Sequence, residues 1–139
     1  MRRRTDERGS ISLWLITASI VTTTCVGLAV DLGGQVHAQQ RAHDIAAQAA
    51  RTGGERVQAP AIEGRYLAVD TAAAHRAAED YLAAADVAGT VTVTGGDTIT
   101  VSVIDTYSPK FLSLIGLGDM TVTGEASARL IRNIGGNEE

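Results

Sequence analysis

The sequence predicts an α+β fold: a long N-terminal helix that crosses a membrane and extends beyond it, then a small domain of one helix and a three-stranded antiparallel sheet. Three observations carry this reading. Residues Ile11–Val30 form a run of twenty with no charge, no proline and one glycine, Gly27. Alanines recur at helical spacing in two later stretches, around residues 38–52 and 74–85. From Thr90 onward the period of the apolar residues drops from 3.6 to 2, the mark of strands with one buried face.

Twenty helical residues span about 30 Å, the thickness of a bilayer's hydrocarbon core. In that medium a helix satisfies its own backbone groups without water. A buried core helix is the plainer alternative, but a chain of 139 residues offers no core large enough to cover twenty residues uncharged all round. Arg2, Arg3, Arg4 and Arg8 stand before the run against Asp6 and Glu7, and fewer basic residues follow it closely. That bias predicts a cytoplasmic leader (1–9) and an extracytoplasmic remainder. A cleaved secretory signal has a shorter apolar centre and small residues at its cut, whereas this run is longer and lacks such a site. Cys25 follows three threonines, a poor setting for lipoprotein processing. A retained anchor is expected.

The predicted transmembrane and protruding helix covers residues 10–53, since Gly53-Gly54 offers a C-terminal stop and Gly33-Gly34 allows a bend. Along it, Ser19, Thr23, Gly27 and Asp31, then Ala38, Ala42, Ile45 and Ala49, follow spacings of four and three. Small residues on one side of a membrane helix let a neighbouring helix approach, so the stripe is a candidate packing surface. The plainer reading is that threonine and glycine are common in membrane helices, with Thr22–Thr24 bonding their own preceding carbonyls. Asp31 reads as an interfacial residue marking the water boundary rather than a buried ion.

Residues 54–69, with Pro60 and Gly64, read as a connector. The small domain follows at 70–134. Asp70 or Thr71 can cap a second helix, with Ala74, Ala77, Ala78, Tyr81, Leu82 and Ala85 on one face and Gly89 closing it. Thr90–Thr94 and Thr98–Ile104 then alternate around Gly95-Gly96-Asp97, a hairpin signal. A three-residue loop pairs Val93 with Ile99 and Val91 with Val101 and puts the valines on one face, whereas a two-residue turn sets apolar residues opposite polar ones. Pro109 can open a short helix, Lys110–Ile115, and Met120–Ile131 reads as the third strand. The tail 135–139 is expected to be disordered. A domain of about 70 residues is marginally stable alone, so packing against the protruding helix or a partner is expected.

Composition narrows the function. The formal net charge is −4, and beyond the first nine residues fourteen acidic residues face eight basic ones. No basic face is available for nucleic acid. The single cysteine lies inside the apolar run, which excludes an intrachain disulfide. His37 and His43 are six apart on one helix and His75 is on the polar face of another, so surface histidines explain them better than metal ligands. Gly116-x-Gly118 lacks the spacing of a dinucleotide loop. Asp105, Asp119 and Glu125 can meet at a sheet edge, but solvated charges account for them. Ser108 and Ser113 have no histidine nearby in sequence to serve as base. No enzyme, cofactor or metal is predicted.

Arg8-Gly9-Ser10, Gly27-Leu28-Ala29-Val30-Asp31-Leu32-Gly33 and the alanine-rich stretch Gln40–Gly53 resemble the TadE/TadG-like proteins of bacterial tight-adherence (Flp) pilus systems. The resemblance covers roughly residues 8–53; residues 54–139 match only loosely. It implies a pilin-like design, a bacterial cell-membrane location, and a role as a minor pilus component or assembly protein. Other membrane or pilus-assembly proteins would be its partners through the N-terminal helix, in homo- or hetero-oligomers. Pilin-like members carry a glutamate five residues after the peptidase cut. Counting from Ser10, that place holds Trp14, so the Gly9–Ser10 bond is a possible processing site that is expected to survive. A membrane-tethered extracytoplasmic binding domain unrelated to pili is the alternative.

Overall fold

The computed structural model describes residues 8–62, 71–96 and 98–129. The elements run α1 (Arg8–Ile62), α2 (Thr71–Ala84), β1 (Ala88–Thr94), β2 (Thr98–Tyr107), a 3-10 turn (Leu112–Ile115) and β3 (Met120–Arg129). The fold is α+β, as the switch in apolar period predicts. Expectations for residues 1–7, for Asp70 as a cap, for Asp97, for residues 63–69 of the connector and for the tail lie outside the described residues.

Helix α1 has 55 residues, which at 1.5 Å per residue makes it about 82 Å long. Its first part carries the apolar run, with Ile11, Leu13, Trp14, Leu15, Ile16, Ile20 and Val21 all more than half exposed. Thr17, Ser19, Thr22 and Thr24 donate to the carbonyls four residues back at 2.8–2.9 Å. These hydroxyls are therefore satisfied within the helix and need no water.

The expected stop at Gly53-Gly54 is not used, and α1 continues to Ile62. The reason is packing. A Cβ at Gly53 would lie 2.6 Å from Ile99 Cδ1 and 2.8 Å from the Ala74 carbonyl oxygen, so glycine serves close approach there. Gly33-Gly34 likewise lies within the helix, and Gly34 faces the Tyr107 ring while Gly33 meets nothing.

The sheet has the order β1-β2-β3, antiparallel throughout. Val91 pairs with Val101 and Val93 with Ile99, the register of the three-residue loop. Gly95 and Gly96 take φ of 65° and 74°, the left-handed region that glycine enters freely. Between β2 and β3, Val103 pairs with Gly124 and Tyr107 with Met120. Both helices cover one face of this sheet, α1 over β2 and β3 and α2 over β1.

The core forms from Ala42, Ala46, Ala49 and Ala50 of α1, Ala74, Ala78 and Leu82 of α2, and Ile99, Val101 and Val103 of β2. Alanines on both helices bring the backbones close, and the β-branched residues of β2 fill the space between. Where α1 crosses β3, Gly124 lies against the backbone of Ala42 and His43. Tyr81 adds a hydrogen bond from α2 to Gln48 of α1 at 2.6 Å. Helix α2 ends earlier than expected, at Ala84 rather than Gly89, in a turn where Asp86 takes φ 53° and Val87 N–H donates to the Leu82 carbonyl at 3.3 Å. Gly89 belongs to β1, where a Cβ would meet the Ser102 carbonyl oxygen at 2.7 Å.

Candidate functional site: a carboxylate clamp where the apolar helix ends

Strand β2 runs antiparallel to α1, so successive contacts descend the helix as the strand advances. Ile99 meets Gly53, Tyr107 meets Gly34, and Phe111 meets Gly27. The β2–β3 connection is thereby delivered to the end of the uncharged run, beside Asp31.

Asp31 is 1% exposed. Its Oδ1 accepts from Lys110 N–H at 2.7 Å and from the Tyr107 hydroxyl at 3.1 Å. Its Oδ2 accepts from Phe111 N–H at 2.9 Å and Leu112 N–H at 2.6 Å. Three consecutive amides thus converge on one carboxylate at the entry of the 3-10 turn, an arrangement that satisfies donors otherwise orphaned there. Burial pushes the Asp31 carboxyl up, but the amides of Leu112, Lys110 and Phe111 and the Tyr107 hydroxyl outweigh it and hold it below its ordinary value. Tyr107 is pushed up by burial, by its bond to Asp31 and by that residue's charge.

This placement corrects the expectation that Asp31 is a solvated boundary marker. Burial costs a carboxylate less when every lone-pair direction finds a donor, and here the donors come from residues about 80 positions away. The one signal in the sequence was an acid at the close of an apolar run; its partners could not be read from spacing.

The stripe of small residues divides. Ser19 and Thr23 are exposed. Gly27 lies under Phe111, Asp31 is in the clamp, Ala42 and Ala49 are in the core, and Ala38 and Ile45 are half-buried. From Gly27 onward the chain's own small domain therefore occupies much of the surface expected to face a neighbouring helix. Gly9 and Ser10 lie in the first turn of α1, and Ile11 and Val30 bound an exposed apolar surface.

Elsewhere the polar groups have local uses. His75 lies 3.2 Å from Glu79 and 3.1 Å from the Val91 carbonyl oxygen. The Ser108 hydroxyl donates to Asp119 at 2.6 Å, and the Ser113 hydroxyl to the Lys110 carbonyl at 3.0 Å. Asp105 accepts from Thr106 N–H at 2.8 Å. Among the described residues no three His, Cys, Asp or Glu side chains converge as metal ligands would. Concavities are shallow; one lies between α1 and α2, lined by Thr52, Ala73, Arg76, Ala77, Asp80 and Tyr81.

Residues 9–58 match the model of the Tad family, described as "Putative Flp pilus-assembly TadE/G-like". The matched segment lies wholly within α1 and includes Asp31. No curated protein and no solved structure matches the chain. The resemblance drawn from Arg8-Gly9-Ser10 and the alanine-rich stretch is thus supported over this segment, and the helix within it is long and apolar enough to cross a membrane.

Proposed function

We propose that this chain is a single-pass membrane component of a Tad-type pilus assembly or secretion apparatus, minor pilin-like or an assembly protein, acting through packing of its N-terminal helix. The observation that carries the reading is the coincidence of the family segment with α1, whose first part presents apolar side chains to its surroundings. The small domain, 70–134, stands outside the membrane, and residues 1–9 remain as a cytoplasmic leader, since four arginines there hold it inside.

The packing surface in this reading is the Ser19–Thr23 face, which the small domain leaves uncovered, continued by whatever part of the stripe the domain does not occupy. Its hydroxyl at Ser19 already bonds Leu15, so association rests on close backbone approach. Replacing Ile11–Val30 by polyleucine tests it: loss of pilus assembly with intact insertion is expected, whereas full activity would favour a tethered binding domain. Protease added to spheroplasts should remove the small domain and spare a tag at Met1; loss of the tag would reverse the orientation. Intact mass of the membrane-bound protein should include Met1–Gly9, because Trp14 cannot pair with a new amino terminus at Ser10 and an unpaired ammonium in lipid is costly.

A further inference from the structure

The β2–β3 connection contains the richest apolar cluster outside the apolar run of α1, Phe111-Leu112-Ser113-Leu114-Ile115-Gly116-Leu117-Gly118, with no charge in eight residues. Packing uses little of it beyond Phe111, which lies against Gly27. Leu114 is 82% and Ile115 73% exposed, and Leu117 and Phe111 are also open. Such a cluster on a water-facing surface is unfavourable. Its position is fixed, however, by the Asp31 clamp and by Phe111 against Gly27. Gly27 lies three residues inside the uncharged run, about 4.5 Å below its end at 1.5 Å per residue.

We propose that Phe111–Leu117 is a second membrane contact, with Leu114 and Ile115 inserted into the leaflet in which the apolar run of α1 ends. The inference rests on reading Ile11–Val30 as the membrane span. Three features support lipid as the occupant. The loop's apolar surface continues that of α1, where Val26, Leu28 and Val30 are exposed at the same level. Non-helical backbone near hydrocarbon requires its polar groups to be satisfied, and six of the loop's amide donors have partners within the chain. Asp31 takes the N–H groups of Lys110, Phe111 and Leu112; those of Leu114, Gly116 and Leu117 reach the carbonyls of Phe111, Ser113 and Leu112 at 3.1 Å. Finally, Lys110, the chain's one lysine, is exposed at the edge of the loop, where its long stem lets the ammonium reach the headgroups. Two contacts, helix and loop, would fix the orientation of the small domain above the bilayer, which a lone helix leaves free to swivel.

The test uses the full chain in phosphatidylcholine–phosphatidylglycerol vesicles carrying acyl-chain nitroxide lipids. One sample bears an environment-sensitive fluorophore on native Cys25. Three others, in a Cys25→Ser background, bear it at Leu114→Cys, Ile115→Cys or Thr92→Cys, the last on the polar face of the sheet. Because the side chains of residues 114 and 115 are mostly exposed, labels there leave the fold intact. Emission loss at 114 and 115 approaching that at Cys25, with none at Thr92, is the expected result. Quenching at Cys25 with 114 and 115 behaving like Thr92 would overturn the loop contact alone, as would a loop covered by a second copy. An unquenched Cys25 would overturn the span itself.

Discussion

The carboxylate of Asp31 accepts a hydrogen bond from the backbone N–H of Leu112 at 2.6 Å, across 81 positions of chain. This bond and its three companions tie the far end of the sheet to the point where α1 leaves the apolar run. Asp31→Ala removes four acceptor interactions and leaves three amides without partners. We predict that hydrogen exchange at Lys110, Phe111 and Leu112 accelerates markedly in this variant while the Ile99–Val103 amides stay protected. Uniform exchange across both segments would show that the clamp holds the whole domain rather than the loop.

The clamp has a pH window. The Asp31 carboxyl is held below its ordinary 3.8 in the folded chain, so its contribution is full above 3.8 and declines as pH falls toward the folded value. The Tyr107 hydroxyl is raised above 10.0, so its contribution is full below 10.0 and declines as pH rises beyond it. Melting temperature in detergent should fall on both flanks. Relative to wild type, Asp31→Asn should flatten the acid flank, and Tyr107→Phe the alkaline one.

Adjacent glycines should respond in opposite ways. Gly33 has open space around it, so Gly33→Ala should stabilise α1 by up to about 1 kcal/mol through helix propensity. Gly34→Ala would instead drive a methyl into the Tyr107 ring, displacing the hydroxyl that bonds Asp31 and lowering the melting temperature. Equal effects at the two positions would refute the contact.

Gly124→Ala should be among the more damaging single changes, because its new Cβ meets the helix backbone at Ala42 and His43 rather than a side chain that can turn away. Overpacking of this kind costs about 1–3 kcal/mol. Denaturant titration of the small domain, monitored apart from membrane insertion, measures it.

Ile99 is fully buried between β2 and both helices. Ile99→Ala should cost about 2–5 kcal/mol, the range for truncating a buried isoleucine. A domain this small has little margin, so protease should digest it while α1 remains in the membrane fraction. Survival of the folded domain would mean that the site collapses around the smaller side chain.

Much of this architecture was legible along the chain. The hairpin register followed from Val91, Val93, Ile99 and Val101, because a three-residue loop sets all four on one face where a two-residue turn does not. The long apolar helix followed from twenty uncharged residues, and the family segment from Arg-Gly-Ser, Val-Asp-Leu-Gly and the alanines. These are local signals, each set by the geometry of a single element.

What the tertiary structure decided is how the elements meet. Gly53-Gly54 reads as a stop in isolation, but Ile99 and the Ala74 carbonyl stand against Gly53 and α1 runs on. Gly89 reads as a helix end, yet it is in β1 against Ser102. The small-residue stripe read as a surface for other helices, and from Gly27 onward the small domain covers much of it. Asp31 read as a solvated boundary residue because a carboxylate's burial depends on donors, and the three amides that supply them lie about 80 residues away. Periodicity reports which face of an element is apolar. It carries no record of which distant backbone, folded back along that face, will come to rest there.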